Sequence, residues 1–412
     1  MRCTRRSLLA GLAAAPLVGH ARVSVRPSRL VLVFAEGAWD PTFVVDPKLD
    51  PKRVDGPALD QVLADPYDRE VWVEQEGIRR WSNPSRRPEV DTFFDRHLRH
   101  TVVVNGLSVG EIAHVQGRRR VLTGAPDAEA PDLAAWVGTV SGGSRLVGCV
   151  DMASFGQPGP YTQATTRLGG RQQMHSLLKP GEFHEEGAAK ISATDRRDVQ
   201  AWLERRRARA DQQRPDAADA VASWHDAYQR GKDWQASDAF SGALRPGQRL
   251  RLRGQVDTAV DLLSAGVCQS VVLATRSSWD THEDVWRQHD SWDGLFHDLG
   301  HLLDRLEATA LLSSTLVMVV SDLGRSPKRN PRNGKDHWPV TSALLLGGGL
   351  EGGRTIGGTD DGLGALGVNL DTGGVDVGGG VLTPAHLAAG VLAYMDVEPS
   401  PWIEGVEALR LG

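Results

Sequence analysis

Four short apolar runs, residues 29–35 (RLVLVFA), 101–104 (TVVV), 270–274 (SVVLA) and 315–320 (TLVMVV), are separated by long stretches of helical pattern. Strand-length runs that stay apolar without alternation belong to strands covered on both faces. Each run opens onto an acid or a histidine: Asp40 after the first, the His114 region after the second, Asp280 with His282 after the third, and Asp322 after the fourth. A fifth run, residues 340–346, follows Asp336 and His337. Strands alternating with helices predict an α/β chain with a mostly parallel, doubly wound sheet in a three-layer α/β/α arrangement. In such sheets ligands gather at the carboxyl ends of the strands, so packing alone is a poor account of acids and imidazoles that recur there in phase.

The densest stretch is residues 313–349, SSTLVMVVSDLGRSPKRNPRNGKDHWPVTSALLLGGG. Between its two apolar runs it reads as a Gly/Pro/Asn-rich loop carrying Asp322, Asp336, His337 and five cations, Arg325, Lys328, Arg329, Arg332 and Lys335. Taken alone, that loop could be a solvated turn capped by its aspartates. Taken with the other strand ends, it makes Asp40, Asp280, His282, Asp322, Asp336 and His337 candidate metal ligands. Arg325 and Lys335 are then placed to meet an anionic substrate. Mixed carboxylate and imidazole ligands suit a divalent metal, zinc or manganese first, with magnesium or calcium as alternatives. Two such ions can clamp the attacking and leaving oxygens of a phosphoryl or sulfuryl displacement. His114 is the candidate catalytic residue, at the start of a helix that stops at Gly124, although Gly117 inside that segment weakens the helical reading.

The remaining features read as scaffold. Residues 50–88 look like a surface excursion, and helical patterns cover 93–99, 131–140, 193–230 with a break at Pro215, 251–265 and 383–395. His297 and His301 are four apart on a helix carrying Leu295, Leu299, Leu302, Leu303 and Leu306, but no acid accompanies them in a HExxH pattern, so they belong to a packing or solvated face. The late glycines lack the strand-then-helix setting of a dinucleotide fingerprint and read as turns and hairpins.

Residues 1–21 have a basic start, the pair Arg5-Arg6 within TRRSLL, an apolar segment and a small-residue exit at Gly19-His20-Ala21. This is the pattern of a twin-arginine export signal, which predicts passage through the twin-arginine machinery and a periplasmic or secreted mature chain. Residues 22–412 then form a single α/β domain, with no further apolar run long enough to span a bilayer. The net charge of the 412 residues is -5; losing the leader's three arginines takes it to about -8, which disfavours nucleic acid as a partner. Cys149 and Cys268 lie in or beside apolar runs and are expected to be small core residues rather than a disulfide.

In order along the chain, the strand followed by GAWD, then WDTH, SDLGR and GKDHWPVTSALLLGGGLEGGR, resemble the exported bacterial family called domain of unknown function 1501. That family is in turn similar to the alkaline phosphatase and sulfatase superfamily. The resemblance implies an alkaline-phosphatase-like fold and a metal-dependent hydrolase ancestry, acting on a small phosphate or sulfate ester. It matches Asp40 to the first-strand metal acid, Asp280 and His282 to the Asp-and-His pair, Asp322 to the acid after a late strand, and His337 to the last metal histidine, with Asp336 as neighbour or additional ligand. Two positions depart from the superfamily: Leu323 stands where phosphatases have histidine, and His114 fills the slot of the hydroxyl or modified nucleophile before Thr123-Gly124. His114 is therefore a metal ligand, a nucleophile forming a phosphohistidine, or a base for metal-bound water. The same departures also fit a non-catalytic exported binding or scaffold protein that retains the hydrolase fold.

Overall fold

Residues 29–35 form the central strand of the molecule, paired in parallel on both sides with the strands of residues 270–274 and 315–321. The computed structural model describes residues 26–57, 69–141, 145, 147–168, 192–213, 250–275 and 279–412. The expected export leader and the helix expected beyond Pro215 lie outside them. In chain order the strands are β1 (Arg29–Ala35), β2 (Val71–Gln75), β3 (Ile78–Ser82), β4 (Thr101–Ser108), β5 (Cys149–Asp151), β6 (Thr165–Arg167), β7 (Ser270–Ala274), β8 (Thr315–Ser321), β9 (Gly324–Arg329), β10 (Lys335–Trp338), β11 (Val340–Gly347), β12 (Arg354–Gly357), β13 (Gly367–Val368) and β14 (Gly380–Val381). The helices are α1 (Pro88–His97), α2 (His114–Thr123), α3 (Leu133–Ser141), α4 (Ala193–Gln213), α5 (Leu252–Ser264), α6 (Arg287–Ala308) and α7 (Pro384–Tyr394).

The main sheet has eight strands in the order β12-β4-β11-β8-β1-β7-β5-β6. Its apolar strands are continuous because both faces are covered. Leu30, Leu32 and Phe34 of β1 pack with α2, α3 and α7, whereas Val31, Val33 and Ala35 pack with α1, α5 and α6. The chain is thus α/β with three layers, as expected. Cys149 and Cys268 are buried and unpaired. His297 and His301 point to acids on neighbouring helices, Glu89 at 3.2 Å and Asp257 at 2.8 Å, rather than to one another. No helix among the described residues is long and apolar enough to cross a membrane.

One strand direction decides where the chemistry can gather. All pairings in the main sheet are parallel except those of β11, which runs antiparallel to both β8 and β4. Its first residues therefore lie at the edge where β1, β4, β7 and β8 end. His337, just before β11, comes to the same corner as residues that follow those four strands.

Two stretches differ from the sequence reading. The Gly/Pro/Asn-rich loop is a hairpin, in which β9 and β10 pair antiparallel with His337 opposite Arg325. Its turn residues were legible, but its strands are short and mostly polar or charged, so no apolar pattern announced them. The surface excursion likewise contains the β2–β3 hairpin, whose Trp72 and Trp81 face each other edge-on at 5.8 Å.

Gly117 has a structural explanation. A Cβ there would lie 2.6 Å from the Asp322 carbonyl oxygen and 2.9 Å from Leu323 Cδ2. The bare backbone lets α2 press against the end of β8, with buried Leu323 filling the contact. Gly117→Ala should push α2 away from β8, lowering stability by about 1–3 kcal/mol in chemical denaturation. The same shift would move His114, the first residue of α2, away from the Asp322 carboxylate.

Candidate metal centre

The corner is built from loops that pin one another. Asp322, immediately after β8, is buried; its Oδ1 accepts the backbone N–H groups of Ala38 at 2.8 Å and Gly37 at 3.2 Å, fastening the loop that leaves β1. Its Oδ2 is 2.7 Å from Nδ1 of His114, the first residue of α2. Asp280, beyond β7, is fixed by Arg325 on β9, whose guanidinium donates to Asp280 Oδ1 at 2.7 Å. The same guanidinium donates to the carbonyls of Ala38 at 2.7 Å and of Trp279 and Lys335 at 2.9 Å, and to that of Gly37. The hairpin turn sits on the loop after β7: a Cβ on Gly334 would be 2.0 Å from the carbonyl carbon of His282.

Three imidazoles share a pattern. Nδ1 of His114 faces the Asp322 carboxylate, Nδ1 of His282 faces Asp336 Oδ1 at 3.1 Å, and Nδ1 of His337 faces the carbonyl of Ile112 at 2.8 Å. Each of these partners only accepts, so each Nδ1 is placed to donate a proton outward and each Nε2 is the ring nitrogen turned inward. All three Nε2 atoms converge on Asp280: His114 at 3.7 Å from Oδ2, His282 at 3.1 Å and His337 at 3.4 Å from Oδ1. Nε2 of His282 and His337 are 3.0 Å apart. The rings of His114 and His337 have centroids 4.2 Å apart.

Ring nitrogens and carboxylate oxygens gathered at such distances make a place that suits a positive charge. A tetrahedral ion with bonds of about 2.0–2.1 Å holds its ligand atoms about 3.3 Å apart. The ligand atoms of His114, Asp280 and His337 lie within 4.8 Å of one another, so the donor set fits a divalent ion. Histidines that hold a metal usually have their second nitrogen tied to a carboxylate or carbonyl in this way.

Protonation preferences agree with an electronegative corner. The hydrogen bond to Asp322 raises the pKa of His114 above the ordinary imidazole value, against the opposing effect of burial. Burial lowers that of His337, favouring the neutral ligating form. Burial would raise Asp280, but the hydrogen bond and charge of Arg325, with His282 adding, hold it below the usual carboxylate range. Asp336 is held low by hydrogen bonds from Asn330 and His282.

The structure therefore brings His114, Asp280, His282, Asp322, Asp336 and His337 into one network, with Asp322 and Asp336 one step back as partners of histidines. Asp40 stands apart: its Oδ2 is 2.6 Å from Lys335 Nζ, and its Oδ1 takes the N–H and hydroxyl of Thr42. Arg325 and Lys335, expected to meet an anionic substrate, are both fully buried, the guanidinium bonded to backbone carbonyls and Asp280 and the ammonium to Asp40. Sequence reasoning overlooked the Ile112 carbonyl and also Arg118, one turn after His114 on the same face of α2. Partly exposed Arg118 lies 3.7 Å from Glu36 and over the Phe155 ring. Its i,i+4 spacing from His114 was the available signal. Burial raises the Glu36 pKa, with Arg118 opposing.

No curated protein matches the chain. Among solved structures, Ps i-CgsB in complex with k-i-k-neocarrahexaose is similar at a TM-score of 0.45 and 9% identity, covering 94% of this chain and 75% of that one. A protein in the alkaline phosphatase superfamily from Vibrio parahaemolyticus gives 0.41 and 11%, covering 92% and 69%. The phosphonate monoester hydrolase SpPMH from Silicibacter pomeroyi gives 0.38 and 9%, covering 93% and 76%. Likenesses this distant decide nothing about the chemistry of this chain. Residues 27–377 match the family described as Protein of unknown function (DUF1501), and the chain belongs to that family, as its ordered motifs implied.

Proposed function

We propose that this chain is an exported, metal-dependent hydrolase of small phosphate or sulfate esters. The observation that carries the reading is the set of three imidazoles, each tied down at Nδ1, whose Nε2 atoms meet at Asp280. His114, Asp280 and His337 would hold the ion, with His282 beside them. When bound, the ion supplies Lewis-acid stabilisation of the charge that develops on the ester.

The protein's own groups do the rest. Asp322 orients His114 and holds its Nδ1 proton, so His114 serves as a ligand rather than as the attacking group. No side chain caps α2 at Ala113, leaving its first backbone N–H groups for an anionic oxygen, and Arg118 supplies the rim charge that Arg325 and Lys335 cannot. Export rests on the Arg5-Arg6 leader. A second reading, a fold-retaining binding or scaffold protein, is favoured by one feature: His114 occupies the slot where the superfamily carries its nucleophile.

The test is metal analysis of protein purified without chelator, together with turnover of p-nitrophenyl phosphate and p-nitrophenyl sulfate. Bound metal near stoichiometry, with turnover lost on chelation and restored by zinc or manganese, is the expected outcome. A metal-loaded protein inert on every ester would favour the scaffold reading; an empty and inert one would end the metal reading altogether.

A further inference from the structure

The helical layer of α1, α5 and α6 holds a cavity of about 180 Å³ that shares no residue with the metal corner. It lies between α1 and α6, with Arg253 of α5 among its lining residues. Phe93 and Phe296 line it too, both buried, their ring centroids 4.9 Å apart. Gly300 keeps its wall open. A Cβ there would meet nothing closer than Phe93 Cδ2 at 3.8 Å, an ordinary contact, so packing does not demand a glycine in the middle of α6. Glycine in a helix interior costs stability relative to alanine, and the space it leaves here belongs to the cavity.

Polar groups with unused bonding capacity stand at two ends of this space. At one end Arg253 Nη1 is 2.9 Å from His297 Nε2, and His297 Nδ1 meets Glu89 Oε2 at 3.2 Å. The Arg253 guanidinium thus faces an imidazole and forms no ion pair among the described residues. At the other end His97 is only 4% exposed, yet its Nε2 has no hydrogen-bond partner. Buried polar atoms are nearly always paired, so this nitrogen marks a place for one more group. Asp304 Oδ1 lies 3.4 Å from it and takes Arg96 at 2.6 Å, which leaves Oδ2 without a partner among the described residues. His297 and Asp304 are about 10 Å apart along α6, at 1.5 Å per residue. Among the lining residues Arg96 and Arg253 balance Glu89 and Asp304, so a ligand with no net charge leaves no charge unmatched.

We infer that this cavity binds a small zwitterion, a short aliphatic chain whose carboxylate meets Arg253 and whose ammonium meets Asp304 and His97 Nε2. The chain between the two charges lies along Phe93, Phe296 and Gly300. An α-amino acid holds its charges too close together to reach both ends, whereas an ω-amino acid of about six carbons, with a hydrogen bond at each end, spans the distance.

Calorimetric titration of the full-length chain with 6-aminohexanoate, hexanoate and hexylamine tests this. The zwitterion should bind once per chain and at least about 10-fold more tightly than either singly charged analogue, since each analogue forfeits one charged hydrogen bond. Gly300→Leu, which fills the space, and Arg253→Met, at an exposed position, should each weaken it by about 10-fold or more. His337→Ala should bind it as wild type does. No binding of the zwitterion, or equal binding of all three compounds, would overturn the inference. Loss of binding in His337→Ala would place the ligand at the metal centre and overturn it as well. Should Gly300→Leu not fold, Arg253→Met decides: weakened binding supports the site and unchanged binding refutes it.

Discussion

His337→Ala and Asp280→Ala should each leave a folded protein that no longer retains a divalent ion. Both residues belong to the group whose ligand atoms lie within 4.8 Å of one another, and His337 Nε2 also meets Nε2 of His282 at 3.0 Å. Loss of an outer partner of a metal ligand costs about 10- to 100-fold in affinity, so loss of a ligand itself should cost more than about 100-fold. Asp322→Asn, which keeps the shape but weakens the hold on His114, should fall within that smaller range. Competition against a chromophoric chelator measures all three. Retention of metal by His337→Ala at wild-type affinity would remove the centre from further consideration. Ester turnover, if present, should disappear with the ion in the two alanine variants.

The second large effect concerns Asp40, and it separates two roles for the same carboxylate. Asp40→Ala leaves the Lys335 ammonium fully buried with its partner gone, and breaking a buried pair in this way costs about 3–5 kcal/mol. Urea or thermal unfolding should show that loss, while the number of ions per chain stays as in wild type. The opposite pattern, unchanged stability with metal lost, would return Asp40 to the ligand set. Because the pair also joins the loop after β1 to the hairpin, the loss should appear as a shift of the whole unfolding transition.

Much of the fold and part of the centre were legible along the chain. A strand buried on both faces must be apolar throughout, and β1, β7 and β8 announce themselves for that reason. The acids and histidines that follow them are local neighbours of those strands, so their arrival at one sheet edge follows from a mostly parallel topology. Arg118 could have been added by its helical spacing from His114.

What a side chain finally pairs with is not a local property. Lys335 and Asp40 are 295 positions apart, and Arg325 takes carbonyls from both Ala38 and Trp279. The sequence shows these cations in a turn-rich stretch, where charge ordinarily means exposure. Only the folding of that stretch into the β9–β10 hairpin, and its seating against the loops after β1 and β7, buries them. The reversed direction of β11 is equally silent in the sequence, since an apolar run reads the same for a strand of either sense. The positions of the buried strands β1, β7 and β8, and the residues that follow them, were determined by residue pattern alone. Which acids face an ion and which face a lysine was decided by tertiary packing, because desolvation commits each charge to whatever partner the fold places within reach.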